Sequence, residues 1–412
     1  MSEPIFRTLA DLCKRDITPF DSKRHPDHGF WYVDISAVDN VRKRIATPQR
    51  IKGKDASVRA RQIIQPNDVL VATTRPNLNA VALVPEQFSG EVCSTGFCVL
   101  RPGEELDPEY LFQVVQSRTF IESLTELTKG ALYPAVTDKQ VFSQRLPWVP
   151  RDDQHRIATR LKAQLAEVDA ARQAGQALVH EADALRTAIY RDAFRGVVPV
   201  AVPPDFTSPP VGWRWHRLTD VARLESGHTP SRSRPDWWGG DVSWISLTEI
   251  RALDGQWVES TRLRTNEQGI AHSAARILPR GTVCYSRTAS VGFVAIMATP
   301  MATSQDFANW VCGDALDPEF LMHALIRARS ELRELATGAT HKTIYMPTLS
   351  SFHVCAPDVA DQRRLSQRLQ AQLAEADALH AAAVAQLAEI ERLPQRLLAQ
   401  AFASPATQGD VT

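Results

Sequence analysis

The sequence of 412 residues has no net charge, since 47 Lys and Arg stand against 47 Asp and Glu. That excludes a chain that grips polyanions all over its surface, and leaves room for a local basic patch. No apolar run approaches the roughly 18 residues that a bilayer span needs. The first residues, Met1-Ser2-Glu3-Pro4, lack a basic segment followed by an apolar core, so no secretory signal is expected. Cysteine is sparse. Its six copies, at 13, 93, 98, 284, 312 and 355, form no Cys-x-x-Cys, and Cys93 and Cys98 have no His beside them. A zinc knuckle and a disulfide framework are thereby excluded, and free buried thiols in a reducing cytoplasm are expected.

Catalytic motifs are missing as well. His180-Glu181 opens an H-E-x-x-H pattern, but Ala184 stands where the second zinc ligand belongs. Gly338-Ala339-Thr340-His341-Lys342-Thr343 looks like the end of a phosphate loop, yet His341 replaces the required Gly and no glycine-rich run precedes it. Neither G-x-S-x-G nor G-x-G-x-x-G occurs. The run Pro203-Pro204-Asp205-Phe206 has the wrong order for an adenine amino-methyltransferase motif. No catalytic residue and no metal site is expected.

What is present is a duplication. DQHRIATRLKAQLAEVD at 153–169 matches DQRRLSQRLQAQLAEAD at 361–377 without a gap, and the same offset pairs Phe194 with Phe402. Upstream, LDPEYL (106–111) matches LDPEFL (316–321), and IIQPNDVLVATTR (63–75) resembles ILPRGTVCYSRTA (277–289). More loosely, LADLCKRDITP (9–19) resembles LTDVARLESGHTP (218–230). A period of about 200 residues is a duplicated unit and not a solenoid. The division is 1–150, a long helix 151–195, a proline-rich linker 196–212, a second part 213–357, a second long helix 358–403 and a tail 404–412.

In the helical parts, apolar or small residues recur every seven. The first helix carries Leu161, Val168, Gly175, Ala182, Ile189 and, as second series, Ile157, Gln164, Ala171, Leu178, Leu185. The second helix carries Leu369, Ala376, Ala383, Ile390, Leu397 and Leu365, Gln372, Leu379, Gln386, Leu393. This is a heptad seam on rods of roughly 60 Å. Ala and Gln bury little, so the two helices are expected to pack on each other, antiparallel. Asp152 and Asp361 stand where N-caps belong, and Pro394 is expected to kink or end the second helix.

The variable parts read as α+β. Strand-like runs (Trp31–Ile35, Val69–Ala72, Val81–Val84, Phe97–Leu100, Val242–Leu247, Val283–Ser286, Gly292–Met297, Ala308–Cys312) alternate with turns. One amphipathic helix per copy follows, over 108–127 and 318–335, with Asp107 or Asp317 as cap and Pro108 or Pro318 at its first position.

Residues 42–61 hold eight basic residues (Arg42, Lys43, Arg44, Arg50, Lys52, Lys54, Arg59, Arg61) and one acid, Asp55. Such a stretch is an electrostatic footprint for phosphate. Copy two has no equal stretch. It offers Thr229, Ser231, Arg232 and Arg234, then Arg287 and Thr288 after a strand, then Thr340, His341, Lys342 and Tyr345. In copy one, Arg75, Asn77 and Asn79 stand in the region of Arg287, and Lys129 and Tyr133 in that of Lys342. Arg suits guanine edges and Asn suits adenine. Trp237 and Trp238 are expected to pack the loop more than to stack on bases.

The order Gly212-Trp213, SGHTPS (226–231), DWWGGDVSWI (236–245), SQDF (304–307), LDPEFL, TGATHKTIYMPTLSSF (337–352), Pro357 and DQRRL (361–365) before a long helix resembles the specificity subunit of type I restriction-modification systems. Copy one keeps YVDIS (32–36), LDPEYL, Lys129-Gly130, DQHRI and AFRG (193–196), but lacks the SGxTP and WWGGD stretches. The resemblance implies two target recognition domains, each binding half of a split, asymmetric site on double-stranded DNA. It implies a coiled-coil spacer of two antiparallel helices, and a chain without catalysis or cofactor of its own. Two methyltransferase subunits, which carry S-adenosylmethionine, and motor-nuclease subunits are the implied partners; a membrane is not. A scaffold that binds only proteins through the helices is the competing expectation.

Overall fold

The computed structural model describes residues 5–128, 134–338 and 341–402. Two helices dominate, Arg151–Ala193 and Val359–Phe402. The chain divides into unit 1, Met1–Gln176 with Ala385–Thr412, and unit 2, Ala177–Val384. Each unit therefore contains one variable part and a piece of both long helices. The tail 404–412 lies outside the described residues.

Unit 1 has two four-stranded sheets. One runs in the order Gln49–Lys52, Gly29–Val33, Val92–Ser94, Ala60–Ile63; the other runs Cys13–Lys14, Phe97–Pro102, Val69–Ala72, Val81–Leu83. In unit 2, five strands run Ala222–Ser226, Phe307–Cys312, Val283–Ser286, Val294–Met297, Trp257–Val258, beside a three-stranded sheet Arg264–Thr265, Trp238–Ile245, Ala302–Thr303. Strand and helix alternate irregularly and pairing is mostly antiparallel, which makes both units α+β.

The copies match rung by rung. Val92 pairs in parallel with Tyr32 in unit 1, and Ala302 with Trp244 in unit 2. Past that strand, the Ser94 hydroxyl accepts the Gly96 N–H at 3.0 Å, and the Ser304 hydroxyl accepts the Asp306 N–H at 3.3 Å. Asp107 and Asp317 cap their helices as expected, taking the N–H of Tyr110 and Phe320 at 3.0 and 3.1 Å.

The amphipathic stretch behind each cap is two helices and not one. Pro108–Gln116 stops at Ser117, whose extended backbone breaks the run while its hydroxyl caps Arg118–Glu126. Pro318–Arg327 stops at Ala328 before Arg329–Glu334. A serine hydroxyl that offers the backbone a local partner ends a helix that periodicity alone continues.

The long helices correct four expectations. They begin at Arg151 and Val359, so Asp152 and Asp361 lie inside the first turn, where acids favour the helix dipole. Asp358 is the second cap; its carboxylate takes the Asp361 N–H at 2.9 Å. The helix also does not end at Pro394 but runs on to Phe402. Finally, the second heptad series turns outward in its middle: Leu178, Leu185 and Leu379 are 47, 39 and 58% exposed, while Leu365 at its start is buried at 7%. The seam beside the Leu161 and Leu369 series runs instead through Ala158, Leu165, Arg172, Val179 and Ser366, Leu373, His380, Leu387, each buried or half-buried. A heptad series has legal neighbours on both flanks, three or four residues away, and only packing chooses between them.

The helix pieces lie side by side within each unit. In unit 1 a Cβ on Gly175 would meet the side chains of Leu387 at 3.2 Å and Ile390 at 3.7 Å. In unit 2 Arg186 Nη1 reaches Asp377 at 2.5 Å and His380 reaches Asp183 at 3.4 Å. As the numbers rise on one helix they fall on the other, so the pieces run antiparallel. Their ends close the cores: the Phe402 ring packs on Tyr110 at 5.5 Å in unit 1, and Phe194 packs on Phe320 at 5.6 Å in unit 2. Full burial of one such ring contributes about 2–3 kcal/mol.

The stretch 196–212 is more than a linker. Val200 and Ala201 pair with Val354 and His353, and Val197 and Val200 enter the core of unit 2. Phe206 stacks on Trp215 at 4.7 Å. Proline prevents a helix there, but an edge strand accepts it. Among the described residues all six thiols are free, five of them buried; burial pushes Cys13 up to about 12 and Cys355 up to about 11.

Candidate nucleic-acid interface

In unit 2 the strand Val283–Ser286 delivers its chain into Arg287-Thr288-Ala289, where Ala289 takes a left-handed φ of 56°. That turn gathers three other segments. The Arg287 N–H donates to Asp306 O at 2.8 Å, the Ile344 N–H to Arg287 O at 2.8 Å, and the Ala289 N–H to Lys342 O at 2.9 Å. The segment around Thr229 joins through its side chain, the hydroxyl donating to Gln305 Oε1 at 2.6 Å. Gly227 is required here, because a Cβ would come within 2.2 Å of Thr303 Oγ1 and 2.3 Å of Ser304 O. So Thr229, Ser231, Arg232, Arg287, Thr288, His341, Lys342 and Tyr345, distant in sequence, belong to one loop cluster. Thr340 lies outside the described residues.

Within that cluster the side chains have different freedom. Arg287 braces the loops: Nη2 donates to Gln305 O at 2.7 Å, and burial lowers its pKa. Arg234 is neutralised by Asp236, which it grips at 3.0 and 2.7 Å. Among the described residues Arg232 makes no ion pair; its guanidinium lies over the rings of Trp238 at 5.0 Å and Trp244 at 5.7 Å. The same indoles pin the loop, Trp238 donating to Ser231 O at 3.2 Å and Trp244 to His228 O at 3.1 Å. Trp237 stacks on His272 at 5.5 Å. The tryptophans thus organise the loop. His341, Lys342 and Tyr345 are exposed.

Unit 1 repeats the scaffold with other residues. The Thr73 N–H donates to Gly96 O at 2.8 Å, the Val136 N–H to Thr73 O at 2.9 Å, and the Arg75 N–H to Pro134 O at 2.8 Å. Arg75 has φ 50°, so it matches Ala289, and Thr73 matches Arg287. The region was aligned correctly from sequence, but Arg75 is not the residue counterpart of Arg287. Asn77 is exposed. Asn79 turns inward and donates to Gln116 O at 3.1 Å, which takes its amide away from a ligand. Lys129 and Tyr133 lie outside the described residues.

The basic stretch 42–61 divides between two places. Arg42, Lys43 and Arg44 line a cleft of about 760 Å³ with residues of both helix pieces of unit 1. There the Lys43 ammonium donates to Asn79 O at 2.5 Å, and burial brings its pKa down to about 8. Arg50 and Lys52 lie on the strand Gln49–Lys52, with Arg50 over Trp31 at 5.7 Å. Exposed Lys54 follows, and Arg59 lines a second cleft with Tyr32, Asp34 and Asp55.

Sequence reasoning missed two kinds of residue. Gln305 stood in view inside SQDF, but only the fold shows it joined to Thr229. Gln154 and Gln362 passed as helix positions, yet both are buried and do the same work. Gln154 Oε1 accepts the Asp107 N–H at 2.9 Å and its amide donates to Val149 O and Glu105 O; Gln362 Oε1 accepts the Asp317 N–H at 2.8 Å and its amide donates to Pro357 O and Ala315 O. The shared Asp-Gln of the two helix starts was the available signal: a buried amide locks each long helix to its own LDPE loop.

A family model for the type I restriction modification DNA specificity domain matches residues 5–175 and 210–391, one match over each copy. The chain belongs to this family. It is a type I specificity subunit, a DNA-recognition chain and not a catalytic one. The HindI specificity subunit of Haemophilus influenzae is 22% identical, over 85% of this chain and 89% of that one. The StySPI specificity subunit of Salmonella potsdam is 21% identical, over 91 and 83%. The MjaIX specificity subunit of Methanocaldococcus jannaschii is 26% identical, over 38% of this chain and only 37% of the relative. Among solved structures, a chain from work on complex assembly and conformational transition of the type I R-M system is 28% identical, with TM-score 0.82, over 100% of this chain and 99% of that one. The HsdS subunit from Thermoanaerobacter tengcongensis is also 28% identical, with TM-score 0.67, over 100 and 98%.

Proposed function

We propose that each unit of this specificity subunit reads one half of a bipartite, asymmetric site on double-stranded DNA. The observation that carries this is one scaffold built twice with different side chains at matched loop positions. Gln305 stands where unit 1 has Thr95, and Arg287 where it has Thr73. Two different readers in one chain recognise two different half-sites, whereas a homodimer recognises a palindrome. The antiparallel helix pieces support a coiled-coil spacer that fixes the distance between half-sites and docks two methyltransferase subunits, with motor-nuclease subunits joining for cleavage. S-adenosylmethionine then belongs to the methyltransferase, which flips its adenine out of the duplex.

The test is modification-sensitive sequencing of the host genome with and without this gene, the neighbouring methyltransferase gene being intact. Loss of adenine methylation at one split motif is expected. Replacing loops 226–238 and 337–345 together should alter one half of that motif and spare the other. Unchanged methylation in both experiments would sink the reading and leave a protein scaffold.

A further inference from the structure

Copy two shows no basic run in its sequence, yet its fold builds a basic site. Arg232, Arg262 and Arg264 line one cleft of about 370 Å³ together with Trp238, Gly239 and Leu263. Among the described residues, none of the three guanidiniums has a hydrogen bond or an ion pair. Arg262 and Arg264 are exposed, the first in a bend and the second opening the strand Arg264–Thr265, and both line the same cleft. The adjacent carboxylate does not quench them: Glu249 Oε2 accepts the Arg262 main-chain N–H at 3.1 Å. Arg232 is held in place by two indoles and not by an acid. Nearby Arg234 is the contrast, since Asp236 already occupies its guanidinium.

The duplication supplies a second observation. Ser243 pairs with Arg264 in unit 2, and Trp31 pairs with Arg50 in unit 1. Ser243 precedes Trp244 and Trp31 precedes Tyr32, the two residues that share the parallel rung already described. Arg264 and Arg50 therefore stand at the same rung of the two sheets. Arg50 belongs to the basic stretch of copy one and itself lies over the Trp31 indole, whereas in unit 2 the indole-held arginine is Arg232. Three unpaired guanidiniums around an open cleft have no use for one another. They suit an anion with several acceptor oxygens.

We propose that Arg232, Arg262 and Arg264 form a phosphodiester clamp that anchors the DNA backbone on unit 2 without reading sequence, with Arg50 as the matching anchor of unit 1. The inference rests on the DNA-reading function. It divides the interface into an anchor at this cleft and a reader at Thr229, Gln305 and the 341–345 segment. Backbone anchoring and base reading are separable in this way because phosphates carry no sequence information.

The experiment uses the full chain assembled with its methyltransferase subunits, and a duplex carrying the motif found by sequencing. Binding is measured from low to physiological salt for the unchanged protein, R262Q/R264Q, and the charge-preserving R262K/R264K. Each lost phosphate contact should make the slope of log affinity against log salt shallower by about 0.9. R262Q/R264Q should therefore bind more weakly at every salt, with a slope shallower by about two units. R262K/R264K should retain the steep slope, and the methylated motif should be identical for all three. An unchanged slope in R262Q/R264Q, or a changed motif, overturns the clamp. If the unchanged protein shows neither binding nor a motif, the DNA-reading function itself has failed. Matching thermal transitions for the three proteins exclude misfolding as the source of a difference.

Discussion

The two units share their rungs, caps and buried amides, and differ in what fills the matched positions between them. Where unit 1 has Asp68 and Arg101, unit 2 has Thr282 and Val311. The Arg101 guanidinium grips Asp68 through Nε and Nη2, both at 2.8 Å, and Asp68 is 1% exposed. Thr282 instead satisfies its hydroxyl locally on Pro279 O at 2.7 Å. Where unit 1 has Gln113, unit 2 has His323, whose Nδ1 lies 3.2 Å from the Tyr190 hydroxyl. One backbone thus accommodates an ion pair or a hydroxyl, an amide or an imidazole, at matched buried positions. A scaffold that accepts such exchange inside can accept it in its loops, and loops are where a reader must diverge.

The comparison can be broken most sharply at the ion pair. Asp68→Ala leaves the Arg101 charge in place without its carboxylate and should cost about 3–5 kcal/mol. Thr282→Ala removes a single neutral hydrogen bond and should cost about 1 kcal/mol. Denaturant melts of the two variants, with hydrogen exchange to assign each transition to its unit, measure both. Equal losses would mean that the pair carries no special weight.

The next contrast is within the second long helix. Leu373 is 7% exposed and Leu379 is 58% exposed. Leu373→Ala should destabilise unit 2 by about 2–5 kcal/mol, while Leu379→Ala should stay within about 0.5 kcal/mol. The opposite ranking would restore the seam that the bare heptad count suggested.

The third contrast is a pH dependence confined to unit 2. Burial, with Arg186 as a lesser cause, brings His323 down from 6.5 to about 4. Between those values the unfolded chain binds a proton that the folded one refuses. Stability is complete above about pH 6.5 and is lost as pH falls toward 4, by at most about 3 kcal/mol. Melting unit 2 across that range should show the loss. His323→Gln, which installs the residue of copy one, should flatten the profile.

The sequence alone determined the duplication, the α+β character, the strands, the Asp107 and Asp317 caps and the two long helices. Each of these rests on neighbours in the chain: period, capping chemistry and turn residues act over a few positions. It also displayed the motifs that mark the family. It did not determine which flank of each heptad series packs, because Leu373 and Gln372 are equally legal until the facing helix chooses, and only Leu373 is buried. It did not show that 196–212 donates a strand, since pairing with Val354 joins positions far apart in the chain. It spread 42–61 as one patch, whereas the fold sends Arg42–Arg44 to one cleft and Arg59 to another. The arginine cleft of unit 2 is the clearest case. Arg232 and Arg262 are separated by thirty residues of sequence and share one cleft wall. Charge summed along a chain is blind to that, because a phosphate responds to distance in space, and only the folded chain brings those guanidiniums together.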